Sequence, residues 1–202
     1  MKVHLKNVRI AFPKLFEPDT VAGSQNYRRG ALFIIDGNDE EQLKAVRNAI
    51  AAAAAEKWPD PKKRAAIMGM LERKDYLCLH DGADKAVKYE GFEGNYYVSA
   101  NSKGGKTPDA AGAVTVIDQF RNPLTAASGK PYAGCYVNAI IDVYAQDNSF
   151  GQRVNASLKG VQFWRDGDAF GGGAPAEPNE FEEAEPTESG DGGDDDDWGG
   201  LA

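Results

Sequence analysis

The chain predicts a mainly β fold, a small antiparallel barrel with two helices inserted between its strands. Three observations carry this expectation. Short runs of period-two alternation, separated by turn formers, recur from the first residues to about position 165. Two helical stretches, about 38–57 and 61–73, follow one another, and no Gly-rich strand-to-helix turn of a nucleotide-binding βαβ unit occurs. After position 165 the alternation stops and an acidic segment begins, which cannot bury enough apolar surface to offset its ordering entropy. The expected division is a domain at 1–165 and a disordered acidic tail at 166–202.

The elements follow in order. Val3 and Leu5 alternate with His4 and Lys6, and Val8 and Ile10 continue with the parity changed at about Asn7. This is a first strand with a bulge at the parity change, ended by Pro13. Residues 17–26 are rich in turn formers and read as a loop. Tyr27-Arg28-Arg29 leads into the buried strand Gly30–Ile35. Asn38 is the expected N-cap of the first helix, with Asp39, Glu40 and Glu41 in the first turn, where the helix dipole favours negative charge. Leu43, Val46 and Ile50 form its apolar face, and Pro59 stops it. Asp60-Pro61 is an N-cap and N1 pair opening the second helix, with Ile67, Met70 and Leu71 inward.

After the helices the pattern returns to β. Asp81-Gly82 signals a turn, and Tyr96–Asn101 alternates with Tyr97, Ser99 and Asn101 on the more polar side. Residues 102–112 are a loop carrying Lys103 and Lys106, 114–118 a short strand and 121–134 another loop. In the clearest strand Cys135, Val137, Ala139, Ile141 and Val143 make one face, and Tyr136, Asn138, Ile140, Asp142 and Tyr144 the other. A last strand runs from about Val154 to Arg165. About five to seven antiparallel strands joined by long loops suggest an OB-type Greek-key barrel, which commonly offers one face to single-stranded nucleic acid.

The charge is unevenly placed. The chain is −8 overall, with 23 basic and 31 acidic residues. All 23 basic residues lie within 1–165 beside 18 acidic ones, so that body is +5, and the 13 remaining acids lie in 166–202. A basic body tethered to an acidic string attracts it at high effective concentration. No apolar h-region of a signal peptide and no membrane-spanning apolar run occurs, which points to a cytoplasmic protein. Cys78 and Cys135 fit no metal spacing and read as reduced core residues, and His4 and His80 are too few and too far apart for a metal site. No cofactor is expected. No G-x-S-x-G or H-E-x-x-H motif occurs, so the chain is expected not to be an enzyme. Asp81, Asp84, Glu90 and Glu93 could serve a magnesium-dependent nuclease, but they sit among lysines and glycines as solvated loop carboxylates do.

Aromatic residues recur beside cations. A cation neutralises a phosphate, and a ring offers a face on which any base stacks, so the pairing suits single-stranded DNA held without sequence preference. The candidate contacts are Tyr27, Arg28, Phe92, Tyr97, Lys103, Lys106, Arg121, Tyr132 and Tyr136. Arg28 and Arg29 are adjacent on a strand, so at most one faces a ligand groove. Phe33 and Phe163 read as core, whereas Tyr136 and Tyr144 lie opposite the apolar face of their strand, which leaves a ligand role open. Asp194, Asp195, Asp196 and Asp197 stand directly before Trp198, and a tail serving solubility alone has no use for that indole. The tail is therefore expected to occupy the basic cleft when DNA is absent and to engage partner proteins when displaced.

Several stretches resemble a family of single-stranded DNA-binding proteins of tailed bacteriophages. They are Leu15-Phe16-Glu17-Pro18, Tyr27 with Ala31–Ile34, Asp81-Gly82, Gly94–Ala100, Tyr132–Tyr136, Gly160-Val161-Gln162 and Asp166-Gly167. The resemblance implies an OB-fold body with an acidic tail. It further implies sequence-independent binding in phage DNA replication, recombination or repair, tail contacts to replication proteins, and a place in the bacterial host cytoplasm. An acidic-tailed adaptor and a strand-annealing protein are the alternatives, and monomer and dimer both stay open.

Overall fold

The computed structural model describes residues 1–20 and 25–171. The expected partner contacts Asp194, Asp195, Asp196, Asp197 and Trp198 lie outside the described residues. The described elements are β1 (Lys2–Thr20), β2 (Tyr27–Ile35), α1 (Glu40–Lys57), α2 (Pro61–Arg73), β3 (Leu79–Asp81), α3 (Ala83–Ala86), β4 (Tyr96–Asn101), β5 (Thr115–Ile117), β6 (Tyr136–Asn148) and β7 (Gly151–Arg165), with a 3₁₀ turn at Ala126–Ser128.

The strands follow the order β3-β4-β2-β1-β6-β7-β5, and a second pairing joins β4 to β7. That pairing is parallel, Ala100 opposite Ala156 and Asn101 opposite Ser157, and it closes β1, β2, β4, β7 and β6 into a five-stranded ring. The result is a mainly β, OB-type barrel with β3 and β5 added at its edges. On β6, Val137, Ile141 and Val143 are fully buried and Ala139 nearly so, as the alternation predicts. Phe33 of β2, Val98 of β4 and Leu158 and Phe163 of β7 complete the interior.

β1 reaches further than Pro13. The β1–β2 register slips between Ala11 and Lys14, so Pro13 sits in a bulge, where its missing N–H breaks no ladder bond. The strand then runs to Thr20, through the first residues of the expected loop at 17–26. The parity change at Asn7 is a true bulge, with a register slip against β6 between Leu5 and Val8 and φ of +50° at Asn7. These slips, with a further one against β2 between Lys14 and Asp19, let one long strand bend round the barrel and pair with both β2 and β6.

The helix cap is Asp39 instead of Asn38: its carboxylate accepts the Gln42 N–H at 3.0 Å. Asn38 lies one residue outside and pairs with Asp36. α1 buries Leu43, Val46, Ala49, Ile50, Ala53 and Ala54 on β1 and β6. Asp60 caps α2 as expected, accepting from the Lys63 N–H at 2.8 Å with Pro61 in the first turn. A third, one-turn helix, α3, follows Gly82, and Asp81 accepts the Ala83 N–H at 2.8 Å. No described helix is long and apolar enough to cross a membrane.

Both cysteines are buried and unbridged. Burial pushes the Cys78 thiol up to about 12 and the Cys135 thiol up to about 11, from an ordinary 9.0. Burial, then the nearby Asp75 and Asp84 charges, pushes the Tyr97 hydroxyl from 10.0 up to about 12. The unfolded chain releases these protons at the ordinary values while the fold retains them. The contribution of these three groups to stability is therefore complete below about pH 9 and is lost as the pH rises from 9 to 12. Thermal melts across that range are expected to show the decline, and a Cys78→Ala, Cys135→Ala variant is expected to decline less steeply.

Candidate nucleic-acid interface

The outer face of β1, β2 and β4 carries a groove of about 290 Å³ lined by β1 residues Phe12, Lys14, Asp19 and Thr20, β2 residues Arg28, Gly30, Ala31 and Leu32, and Ser99 and Asn101 of β4. Its floor is set by Gly30. A Cβ there would lie 2.3 Å from the Asn101 amide oxygen and 2.8 Å from the Ala100 carbonyl, so only glycine lets β2 and β4 approach this closely. Phe12 sits at the β1 bulge with φ of +49°, a conformation uncommon for a bulky residue. The bulge turns its ring outward, and Phe12 is 44% exposed.

A chain of rings extends from Phe12. Tyr89, 45% exposed, meets it edge to face at 4.9 Å between centroids. Beneath them Phe92 lies 6.4 Å from Phe12, Tyr97 lies edge-on to Phe92 at 5.4 Å, and His80 stacks on Tyr97 at 4.8 Å. Lys85 of α3 stands over the Tyr97 ring at 5.4 Å. Residues 82–95 thus fold over one end of the outer face, where Phe92 and Tyr97 pack with Ala11 and Ile34. The other end stays open. Phe12 and Tyr89 are at the junction, offering ring surface to solvent on a buried aromatic base.

The two adjacent arginines divide as strand geometry requires. Arg29 turns away from the groove and donates to the carbonyls of Ala111 at 3.0 Å, Gly112 at 3.3 Å and Phe16 at 3.4 Å. It ties β1 and the 102–112 loop to β2. Arg28 turns into the groove, and its Nε is buried with no hydrogen-bond partner among the described residues. The loop is fixed to β2 by reciprocal bonds between Tyr27 and Gly105, at 2.8 and 3.0 Å. A Cβ at Gly105 would lie 2.2 Å from the Ala110 carbonyl carbon, so this crossing also needs glycine. The loop therefore holds exposed Lys103 and Lys106 beside Tyr27 and Arg28. Asp19 is the acidic residue of the groove lining, and Lys14 pairs with it at 3.5 Å.

Of the residues expected to bind, Tyr27, Arg28, Lys103 and Lys106 come together here. Phe92 does not present a stacking face. It is 1% exposed and fills the small outer core, which corrects the expectation. Tyr97, 8% exposed, has one face on His80 and is likewise a packing residue. Tyr132 and Tyr136 belong to a second cluster where the chain leaves the barrel. The Tyr132 hydroxyl donates to Asp166 at 3.0 Å and accepts from the Gly167 N–H at 3.2 Å. The Tyr136 ring has the Arg165 guanidinium over it at 3.4 Å and that of Arg9 at 5.7 Å. Lys130, at 3.0 Å, and then Tyr132 hold the Asp166 carboxyl below its ordinary range. Arg121, with φ of +70°, lies in the turn after β5, the edge strand paired with β7. Sequence reasoning missed Phe12, Lys14, Leu32, Ser99 and Asn101 as groove residues. A ring immediately before a proline in an alternating strand was the available signal for the bulge and for Phe12.

The sequence matches the family described as "Enterobacter phage Enc34, ssDNA-binding protein" over residues 1–191. It is 40% identical over 188 residues to protein p50 of Acyrthosiphon pisum secondary endosymbiont phage 1, spanning 93% of this chain and 96% of that one. The fold is similar to that of the single-stranded DNA-binding protein of bacteriophage Enc34 in complex with ssDNA, with a TM-score of 0.64 at 19% identity over 83% of this chain and 88% of the other. It is also similar to gp2.5, a single-stranded DNA-binding protein of bacteriophage T7, with a TM-score of 0.55 at 13% identity over 91% and 99%. The family match and the 40% relative are decisive, and the chain belongs to the Enc34-type family of phage single-stranded DNA-binding proteins.

Proposed function

We propose that this chain binds single-stranded DNA without sequence preference across the outer face of β1, β2 and β4, and that it coats and protects the strand without catalysis. The observation that carries this is the exposed Phe12–Tyr89 pair set beside the groove of Lys14 and Arg28. Rings accept any base, cations accept any phosphate, and neither reads sequence. The contact set is Phe12, Tyr27, Arg28, Tyr89, Lys103 and Lys106, with Phe92 and Tyr97 as its base. The place of action is the bacterial host cytoplasm, in phage replication, recombination or repair.

Fluorescence anisotropy of labelled oligo(dT) across a salt series tests this reading. Arg28→Ala is expected to weaken binding and to lower the slope of log affinity against log salt by about 1, as loss of one phosphate contact requires. Arg29→Ala is expected to lower the melting temperature instead, because it unties three carbonyls from β2. No binding by the wild-type chain at low salt, with or without residues 172–202, would overturn the proposal.

The acidic tail is proposed to compete with DNA for this cationic face and to engage replication proteins once displaced. Deleting residues 172–202 is expected to tighten oligo(dT) binding, most strongly at low salt, where charge competition is least screened. Weaker binding after the deletion would refute the competition.

A further inference from the structure

The opposite side of the barrel carries a larger groove, of about 630 Å³, on the outer face of β1, β6, β7 and β5. Its walls include Ile117, Ile140 and Trp164, and its remaining lining includes His4, Lys6, Asn138, Lys159 and Gln162. Ile140 is 37% and Trp164 45% exposed, a large apolar area for an outer sheet face. None of the lining residues is acidic, and Lys6 and Lys159 put two cations on the rim. The nearby Asp142 carboxylate is already held by the N-terminal ammonium at 2.7 Å. Asn138 and Gln162 are bonded to each other at 3.0 Å, so the polar part of the floor is satisfied and the unsatisfied surface is apolar.

The chain itself contains a segment of matching chemistry. Asp194 to Asp197 precede Trp198, Gly199, Gly200 and Leu201, so four carboxylates adjoin two apolar side chains. The described chain leaves the barrel close by. Phe170 lies under the Arg9 guanidinium at 4.1 Å, and Arg9 is two positions from the groove residue Asn7. Arg165 bridges the two places by donating from Nε to the Asn7 side chain at 3.1 Å. From Gly171 to Trp198 the chain spans up to about 90 Å extended at about 3.3–3.6 Å per residue, and about 30 Å on average as a flexible coil. Both exceed what is needed to return to a groove on the same small barrel.

We infer that this groove is the seat of the chain's own Asp194–Leu201 segment, with Trp198 and Leu201 on Ile117, Ile140 and Trp164 and the four aspartates against Lys6 and Lys159. The seat lies on the side of the barrel away from the proposed DNA face. Docking there returns the intervening acidic stretch past the exit point at Phe170, whose ring packs against the outer core beneath Phe12 and Tyr89. The docked segment thus holds the competing carboxylates near the DNA face without occupying it with the indole. The inference goes beyond the DNA-binding reading and does not depend on it.

Heteronuclear NMR of the full-length protein tests it. Trp198→Ala is expected to shift the amide signals of Ile140, Gly160 and the Trp164 indole while leaving those of Ser99 and Asn101 in place. Ile140→Glu, an exposed position where a carboxylate repels the segment, is expected to move the Trp198 indole signal to its value in a free peptide of residues 190–202. Both effects are expected to persist on dilution, as docking within one chain requires. Groove signals unmoved by Trp198→Ala, shifts confined to the β1–β2–β4 face, or loss of the docked signals on dilution would each overturn it. Oligo(dT) titration of the same samples reports separately on the DNA face.

Discussion

Tyr89→Ala and Phe12→Ala are each expected to weaken oligo(dT) binding by about 5- to 150-fold, the loss of one stacked base at about 1–3 kcal/mol. Melting temperatures should change little, since both rings are roughly half exposed and stand on the surface of the outer core. The two rings touch at 4.9 Å, so the double variant is expected to lose less than the product of the single losses. Leucine at either position keeps apolar area but removes the π face and should restore little affinity. Anisotropy titrations at one fixed salt concentration measure all five variants. Equal binding by wild type and the double variant would remove the stacking platform from the account.

Phe92→Ala is expected to cost folding stability about 3–5 kcal/mol, the usual range for deleting a fully buried phenyl ring. The ring is 1% exposed and packs with Ala11, Ile34 and Tyr97 under the segment that carries Tyr89. Its removal opens a cavity beneath Phe12 and loosens the fold of residues 82–95 over the sheet. Denaturant melts should show the loss, and DNA affinity should fall as a secondary effect of a displaced Phe12. Phe92→Leu should recover most of the stability. A Phe92→Ala variant of unchanged stability but sharply reduced affinity would instead make Phe92 a contact residue.

What the sequence made legible, and what it hid, follow from the range of the interactions involved. The β6 faces could be read because alternation is a local property and the buried set from Cys135 to Val143 is uninterrupted. The bulge at Asn7 could be read because a parity change is local too. Asp60-Pro61 capped α2 as expected, whereas Asp39 replaced Asn38 one position along, a choice that the packing of α1 decides. The length of β1 could not be read, because Pro13 normally stops a strand and is tolerated here only where the register slips. The groove was hidden for a similar reason. Phe12, Arg28 and Ser99 are brought together by pairing β1 with β2 and β2 with β4, and no sequence window contains them. Cation-aromatic adjacency points to segments of the chain, but not to which ring of a segment is buried. Phe92 and Tyr89 both lie beside charged residues, and the fold turns one in and the other out.

Single-stranded DNA is proposed to lie on the Phe12–Tyr89 side of the barrel. Photo-crosslinking of bromodeoxyuridine-substituted oligo(dT) to the full-length protein, with peptides mapped by mass spectrometry, tests it most directly. Adducts are expected on the peptides containing Phe12 and Tyr89, with further adducts at Tyr27. Adducts confined to Trp164 and Tyr144 on the opposite face, with none at Phe12 or Tyr89, would contradict it.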